Sequence, residues 1–484
     1  MFSTFILKNK YPIVIGFGIF ILASLVVGLL TEQYALFAAP VVVAIFAFAM
    51  LDWKKLYYLF IFCIPLSITI SVGEGFSTDL PTEPIMIFFM LVLFTYCLFN
   101  FNKFDLEFFK HPIIQLLLLH VLWLVVTVMF AQIFKISFKY LLAKIWYIST
   151  FVFITSLVVK NISAYKKVFW LLATSMALVA IITLVRHYGY GFAFDKVNNT
   201  VQPFFLNHVD YAAMLSILLP YLIFSRTLYK KFSVRRAIIN VFIVLYLAAI
   251  YFSYTRGAWG GVIIGGVAYL IFKKGLVKWA LAASALTLVV GVIYLTQNNR
   301  YLDMAPDVKK KSIYHDELGD HLESTLKLQD LSSAERKYRW IAGMRMATVH
   351  PITGFGPGNF YSFYKRYTVS AFTTYVSDNP EKSTAHNYFL TTIIEQGIIG
   401  FAIFLAFTAG LFIYGQRVYE RAIGPEKGLA ITILVSLVII YCQLMLSELL
   451  EIDTVGGVYL LGIAILVGID VRSKRRINKL EKQL

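Results

Sequence analysis

The arginine Arg256 stands where one apolar segment ends and the next begins after almost no loop. If both segments cross a membrane, this guanidinium lies at the membrane boundary, where it can hold a diphosphate through two parallel hydrogen bonds. The alternative is an interfacial arginine that reaches lipid phosphates beside Trp259, a residue type common in that zone. Arg256 is therefore a candidate for phosphate chemistry, and the interfacial role stays open.

A histidine, His386, opens a later apolar segment directly after a long polar stretch. Imidazole is neutral over much of the physiological pH range and can take a proton from an attacking hydroxyl. A hydrogen-bonded residue at the start of a helix is the alternative. His386 is our candidate general base, and the adjacent Asn387 is a candidate substrate-binding residue.

Two further arginines occur within a predicted helix from Ser332 to Val349, which ends before a proline. Arg336 and Arg339 fall on one face with Trp340 by their i, i+3 and i+4 spacing. This face can cover an anionic or sugar ligand, or it can simply be a solvated basic surface.

His208 and Lys144 are additional polar residues at the ends of apolar segments on the same predicted side. A charged residue within a membrane segment, such as Lys144, is a functional candidate by default, with a structural ion pair as the alternative. We include both residues among the candidate substrate-binding groups.

Glu395 follows His386 by nine residues, which places the two on opposite sides of a straight helix. They are not expected to meet, and Glu395 is better interpreted as a buried hydrogen-bonding group than as a catalytic partner. Gly397 and Gly400 share the His386 face of such a helix, where small residues allow a neighbouring helix to approach.

The elements that position these residues are membrane helices. Of 484 residues, 59% are hydrophobic and only 15% are charged, far from the usual composition of a soluble domain. Apolar stretches long enough to cross a bilayer recur along the chain, and helices satisfy their own backbone groups in lipid. The predicted fold class is all-α, a polytopic membrane helical bundle of about fourteen spans. They begin near residues 11, 34, 56, 83, 112, 138, 166, 208, 237, 257, 277, 385, 427 and 452.

Lysine and arginine fall in alternate loops, which we assign to the cytoplasm together with both termini. This topology explains the net charge of +17 better than a nucleic-acid partner does. The remaining loops face outward, and the largest contains short helices. We divide the chain into N-terminal helices (1–207), central helices (208–295), the large outward loop (296–384), and C-terminal helices with a basic cytoplasmic tail (385–484).

No metal-binding, nucleotide-binding or redox motif stands out, so we expect no metal and no cofactor. The energy for a reaction then has to come with the substrate. An activated lipid-diphosphate sugar fits, because its leaving group needs cations and its acceptor hydroxyl needs at most one base.

Three segments, taken in order, resemble the O-antigen ligase and O-antigen polymerase family of the bacterial inner membrane. They are Thr255–Trp259, the stretch from Arg339-Trp340 to Phe360, and His386 through Glu395-Gln396-Gly397 to Gly400. The similarity covers roughly residues 200 to 410.

The resemblance implies a GT-C-like, metal-independent, inverting glycosyltransferase at the periplasmic face. It would move a glycan from undecaprenyl diphosphate to an acceptor, with Arg256 matching the arginine that handles the diphosphate and His386 the histidine that activates the acceptor. Family members often carry another arginine just before the eighth span, and Thr200–Leu206 has none. Lys196, Arg186 or Lys144 are the possible substitutes.

Several alternatives remain. A transporter or flippase of lipid-linked sugars also uses many spans and intramembrane charge, but it predicts paired broken helices in two similar halves, which the sequence does not show. A scaffold of a polysaccharide assembly complex would not need Arg256. Within the enzyme class, an O-antigen ligase, a polysaccharide polymerase and a protein O-oligosaccharyltransferase differ only in the acceptor.

Overall fold

The computed structural model describes residues 52–71, 77–100, 105–304, 331–373, 377–379 and 383–483, together with Ala23. This part of the chain is a bundle of long helices with one small hairpin. The long helices are α1 (52–63), α2 (Thr82–Asn100), α3 (Pro112–Met129), α4 (Phe134–Val158), α5 (Ile162–Gly189), α6 (His208–Ser225), α7 (Val234–Phe252), α8 (Arg256–Lys273), α9 (Val277–Thr296), α10 (Leu331–Ala347), α11 (Tyr388–Arg421), α12 (Gly424–Leu444) and α13 (Asp453–Glu481).

Shorter elements connect these helices. Strands β1 (Ile68–Ser71) and β2 (Ser77–Leu80) pair antiparallel, with Ile68 opposite Leu80. Helix α4 includes a π-helical stretch, Ser149–Ile154. Short α-helices cover Leu106–Phe109, Val197–Val201 and Phe360–Phe363, and 3-10 turns cover Ile64–Leu66, Phe194–Lys196, Arg226–Leu228, Gln297–Met304, Tyr364–Tyr367, Ser370–Phe372 and Leu449–Glu451.

Ten helices of the described chain are long and apolar enough to cross a membrane: α2 to α7, α9, and α11 to α13. Each matches a predicted span. Helix α8 also matches one, but its glycines and terminal charges leave it outside the ten, and the described part of α1 is short. The spans predicted near residues 11 and 34 lie outside the described residues, so a total of about fourteen stays a prediction.

One end of the bundle gathers ion pairs between segments far apart in sequence. Arg475 contacts Asp105 at 2.5 Å and Glu107 at 2.8 Å, and Arg472 contacts Glu426 at 2.7 Å. We call this the basic end. The basic tail after Asp470 continues α13 as a helix, and its arginines Arg472 and Arg475 pair with these acids.

The opposite end, which we call the loop end, carries the hairpin, α10, the connections 190–207 and 445–452, and the described residues 351–373, 377–379 and 383–387. Hydrogen bonds at this end join segments that are far apart in sequence. The Thr82 hydroxyl donates to Asp453 at 3.0 Å, and the Gln132 backbone N–H donates to the Phe355 carbonyl at 3.0 Å. The predicted outward loops therefore gather at one end of the molecule.

Helices α12 and α13 form the centre of the bundle, whereas α9 is largely exposed. Helix α8 packs along α12 through Gly261 and Gly265, because a Cβ atom at Gly265 would lie 2.8 Å from the Ile439 side chain. Without a side chain in the way, the two helix backbones approach closely, as is common where membrane helices meet. This contact fixes Arg256, at the start of α8, near the end of α12.

Candidate functional site

Helix α11 is broken at Gly397, where φ is +69°. The glycine-rich segment Pro351–Phe360, which we call the glycine loop, packs into this break. A Cβ atom at Gly397 would overlap the Ile352 carbonyl, and one at Gly354 would overlap the Glu395 backbone. Only glycine permits this close approach of two backbones. Gly397 thus marks a break filled by the loop rather than the helix contact that we predicted.

The glycine loop supplies hydrogen bonds in place of those that the break removes. They run from Phe355 N to Ile394 O (2.9 Å), from Gly356 N to Glu395 O (3.0 Å) and from Ile398 N to Pro351 O (2.8 Å). The buried Glu395 carboxylate accepts two more, from Gly358 N at 2.8 Å and Phe360 N at 3.0 Å. Glu395 is therefore a buried hydrogen-bonding group, as predicted, although its partner is a loop rather than a helix.

His386 precedes α11 and lies outside the helix, with φ of +52°. Asn387 is the N-cap, and its side-chain oxygen accepts a hydrogen bond from Leu390 N at 3.0 Å. Helix α10 holds the same segment from the other side, because the Trp340 indole donates to the Ala385 carbonyl at 2.9 Å. The backbone at His386 is thus fixed from both directions.

Arg336 and Arg339 project from α10 toward His386. Arg339 is 6% exposed, lies 3.6 Å from Glu335 and donates to the Thr384 carbonyl at 3.4 Å. Burial and the positive charges of Arg339 and Arg336 lower the pKa of His386 from 6.5 to about 4. The imidazole is therefore neutral at pH 7 and able to accept a proton.

Arg256 is the first residue of α8 at the loop end. We call its surroundings the Arg256 corner, and those of His386 the His386 corner. The hydroxyl of Thr255 donates to the His208 carbonyl at 3.3 Å, and His208 Nδ1 lies 2.7 Å from the Asn198 side chain. Two predicted site residues, Arg256 and His208, are thus brought to one corner although 47 positions separate Thr255 from His208.

The connection after α12 borders both corners. Leu446 lies beside Gly257, with 3.7 Å between its side chain and the position of a Cβ there. Two residues on, the Glu448 carboxylate accepts hydrogen bonds from Thr391, Thr384 and the Ala385 backbone. This short segment therefore connects the Arg256 corner with the residues that precede His386.

The pKa of Glu448 is raised to about 7, chiefly by burial and also by the negative charge of Glu451, while its hydrogen bonds oppose the rise. Both carboxylates line a cavity of about 610 Å³ between α4, α11 and the glycine loop. Lys144 lines the same cavity and pairs with Glu451 at 2.9 Å, and the Tyr140 hydroxyl donates to Glu451 at 2.6 Å. Glu451 thus provides Lys144 with an ion-pair partner, which stabilises a charged side chain within a membrane span.

The three possible substitutes for the missing arginine all have local partners. Arg186 donates to the Gln202 carbonyl at 2.5 Å, within the stretch that lacks an arginine. Lys196 contacts Asp195 at 2.8 Å, and Lys144 contacts Glu451. Among the three, Arg186 approaches the matching stretch directly.

Sequence reasoning missed Glu448 and Glu451. The sequence does show three acidic residues, Glu448, Glu451 and Asp453, close together between two apolar spans, and this clustering could have indicated a polar site. In the described ranges, groups of three or more His, Cys, Asp or Glu side chains arranged to hold a metal ion are not found.

Residues 241–405 match the sequence profile of a family described as O-antigen ligase. The chain carries an O-antigen ligase domain. The ten candidate spans indicate a multi-pass membrane protein, and the match covers about a third of the chain. A comparison with curated proteins gives no match.

The O-antigen ligase domain covers most of α7, all of α8, α9 and α10, and the first half of α11. It therefore includes Arg256, both α10 arginines and His386. Lys144, His208 and the two carboxylates after α12 lie outside it, although they belong to the same end of the bundle.

Proposed function

We propose that the protein is a metal-independent, inverting glycosyltransferase that moves a glycan from undecaprenyl diphosphate to an acceptor hydroxyl at the periplasmic face. The observation that supports this most directly is a neutral histidine, His386, held beside Arg336 and Arg339 within the O-antigen ligase domain. A base and a cationic pair are the groups that this transfer requires.

The reaction follows from these charges. The acceptor oxygen attacks the anomeric carbon and its proton passes to His386, while the bond from that carbon to the diphosphate oxygen breaks. The departing undecaprenyl diphosphate is negatively charged and is stabilised by Arg339, Arg336 and Arg256. Attack opposite the leaving group inverts the anomeric configuration.

Donor binding is expected to activate the base. Burial and the positive charges of Arg339 and Arg336 hold the pKa of His386 at about 4. A bound diphosphate neutralises part of this field, so the pKa rises and the imidazole becomes a stronger base. Proton transfer is thereby coupled to the presence of the donor.

We assign the loop end to the periplasm because the opposite end concentrates arginine and lysine, which favour the cytoplasmic side. Both termini would then be cytoplasmic in a bacterial inner membrane. In this arrangement the His208 carbonyl accepts the hydrogen bond that holds Thr255 next to Arg256. Asn387 caps α11 and so orients the segment of His386. Lys144 lies on the side where the acceptor binds.

The test uses purified full-length protein with undecaprenyl-diphosphate-linked glycan extracted from the source cells. We expect His386→Ala to lower the release of undecaprenyl diphosphate by about 10²- to 10⁴-fold, the range of general-base catalysis. Arg256→Ala should also lose transfer, and Arg345→Ala is the control because Arg345 is exposed on α10. Wild-type turnover in both His386→Ala and Arg256→Ala would refute the mechanism, and strong inhibition by a chelator would refute metal independence.

Deleting the gene separates the acceptor classes. Unattached long glycans indicate a ligase, single repeat units indicate a polymerase, and an underglycosylated protein indicates a protein O-oligosaccharyltransferase. A transporter or flippase would instead leave lipid-linked glycan on the cytoplasmic side, where added periplasmic transferase cannot consume it.

A further inference from the structure

The cavity beside Glu448 is not lined by the arginines to which we assign the diphosphate. Its volume of about 610 Å³ falls within the range of small-ligand sites, roughly 300 to 1,000 Å³. Thr384, two residues before His386, forms part of its wall, and α4 and the glycine loop form other parts. A molecule in this cavity lies beside the segment that carries the base.

Most acidic and basic side chains that line the cavity are carboxyl groups, and its single ammonium group is already paired. Glu395, Glu448 and Glu451 contribute carboxylates, and Lys144 contributes an ammonium group that already pairs with Glu451. A diphosphate would compete with Glu451 for the ammonium group, whereas a neutral ligand with many hydroxyls can donate hydrogen bonds to the carboxyl oxygens. An amino sugar would gain an additional attraction.

The other wall groups also suit a sugar. Tyr140, Tyr361 and Tyr388 bring aromatic rings to the cavity, while Thr391 and Ser362 bring hydroxyls. Aromatic walls with a few convergent polar groups are typical of sites that bind ligands with both apolar faces and polar edges. A sugar ring has such faces and edges.

We propose that this cavity is the acceptor subsite and that it binds the terminal neutral or amino sugar of a glycan. As an acceptor subsite it rests on the proposed function. The donor diphosphate lies with the arginines, the acceptor sugar lies with the carboxylates, and His386 stands at the boundary where the acceptor hydroxyl loses its proton.

The experiment fills the cavity while keeping its carboxyl groups and its lysine. Ala143→Phe on α4 intrudes from one wall and Ser362→Trp intrudes from the loop. Leu142→Phe is the matched control, because the neighbouring Leu142 is 37% exposed and points away from the cavity. The probe is a set of end-labelled oligosaccharides prepared by partial hydrolysis of the source cells' own surface polysaccharide.

Equilibrium binding of these oligosaccharides is measured in nanodiscs without donor, and turnover is measured with donor. We expect both filling variants to weaken oligosaccharide binding at least tenfold and to raise the acceptor KM equally, with the donor KM unchanged. Leu142→Phe should match the wild type. The second filling variant keeps the test valid if the first fails to fold.

The outcomes distinguish the two proposals. If the wild type transfers glycan and both folded filling variants bind and transfer as it does, the acceptor subsite is refuted and the proposed function stands. Cavity-dependent oligosaccharide binding without any turnover would keep a sugar site and refute the transferase. A threonine-rich peptide that binds in place of the oligosaccharide, with the same dependence on the cavity, would overturn the sugar assignment.

Discussion

The two sides of His386 differ in charge and in how they are built. On one side, Arg336 and Arg339 both come from a single helix, α10. On the other side, Glu448 and Glu451 arrive from a connection more than 60 positions after His386 and meet α4 across the bundle. The arginine side suits an anionic leaving group and the carboxylate side suits a sugar, so a single imidazole can serve both substrates from the boundary.

This difference also explains why only one side follows from local sequence. The arginine face can be predicted from helical spacing within α10 alone. Its contact with the segment before α11 consists of hydrogen bonds from Arg339 and Trp340 to backbone carbonyls. The carboxylate side requires α4, α11 and the α12–α13 connection to converge. No periodicity within one segment encodes that convergence.

The largest change is expected where a substitution breaks both sides together. Gly397→Ala places a Cβ atom on the Ile352 carbonyl and forces an alanine to φ of +69°. A non-glycine residue in this region costs on the order of 1 to 3 kcal/mol, and the overlap between two backbones adds to it. We expect loss of transfer and earlier proteolysis within the glycine loop.

Gly266→Ala is the control for this experiment, because open space surrounds Gly266 on α8. Limited proteolysis and thermal unfolding of both purified variants provide the measurement. Unchanged proteolysis and unfolding in Gly397→Ala would show that the break in α11 does not hold the two sides in register.

An intermediate effect is expected from the arginine side alone. Arg339→Ala removes one charge-assisted contact to the leaving group, worth roughly 1.5 to 3 kcal/mol, or about 10- to 100-fold in kcat/KM. It also removes a positive charge that lowers the pKa of His386. Because the base must be unprotonated, the rate falls on the acid side of this pKa.

The pH dependence of kcat/KM reports the free enzyme and therefore separates these two contributions. In the wild type we expect activity to persist toward pH 4, and in Arg339→Ala the acid limb should move to higher pH. Arg345→Ala should leave the profile unchanged. A slower Arg339→Ala enzyme with the wild-type acid limb would mean that Arg339 acts on substrate alone.

The sequence predicted the element types well where apolar runs were long. All ten candidate spans of the described chain were expected, as was the helix that carries Arg339, although it ends at Ala347 rather than Val349. The break in α11 was missed, because apolar residues continue through Gly397 and nothing local shows that a distant loop fills the gap.

The candidate site was predicted in part for the same reason. Arg256 and His386 were selected because they lie at predicted span ends, and that reasoning needs only hydropathy. Glu448 was not selected, since its importance depends on contacts with Thr384 and Thr391, which precede it by more than 50 positions. Single-chain patterns do not report such pairings.

The smallest effect is expected at Glu448, which joins the carboxylate side to the segment of His386. Its ordinary pKa of 4.5 is raised to about 7 in the folded protein. A carboxyl group with a raised pKa contributes stability that is fully present below about pH 4.5 and is lost as the pH rises through about 7. The wild type should therefore lose thermal stability between pH 5 and pH 8.

Glu448→Gln cannot ionise, so we expect its unfolding temperature to vary less over the same interval, with transfer reduced only a few-fold. Amide oxygen can still accept from Thr391 or Thr384, which preserves part of the attachment. Thermal unfolding at matched ionic strength measures the slope, with Glu420→Gln at the basic end as the control. If the unfolding temperatures of wild type and Glu448→Gln vary with pH in parallel, another group causes the pH dependence. The contrast between an arginine side that does not titrate and a carboxylate side that does would then be wrong.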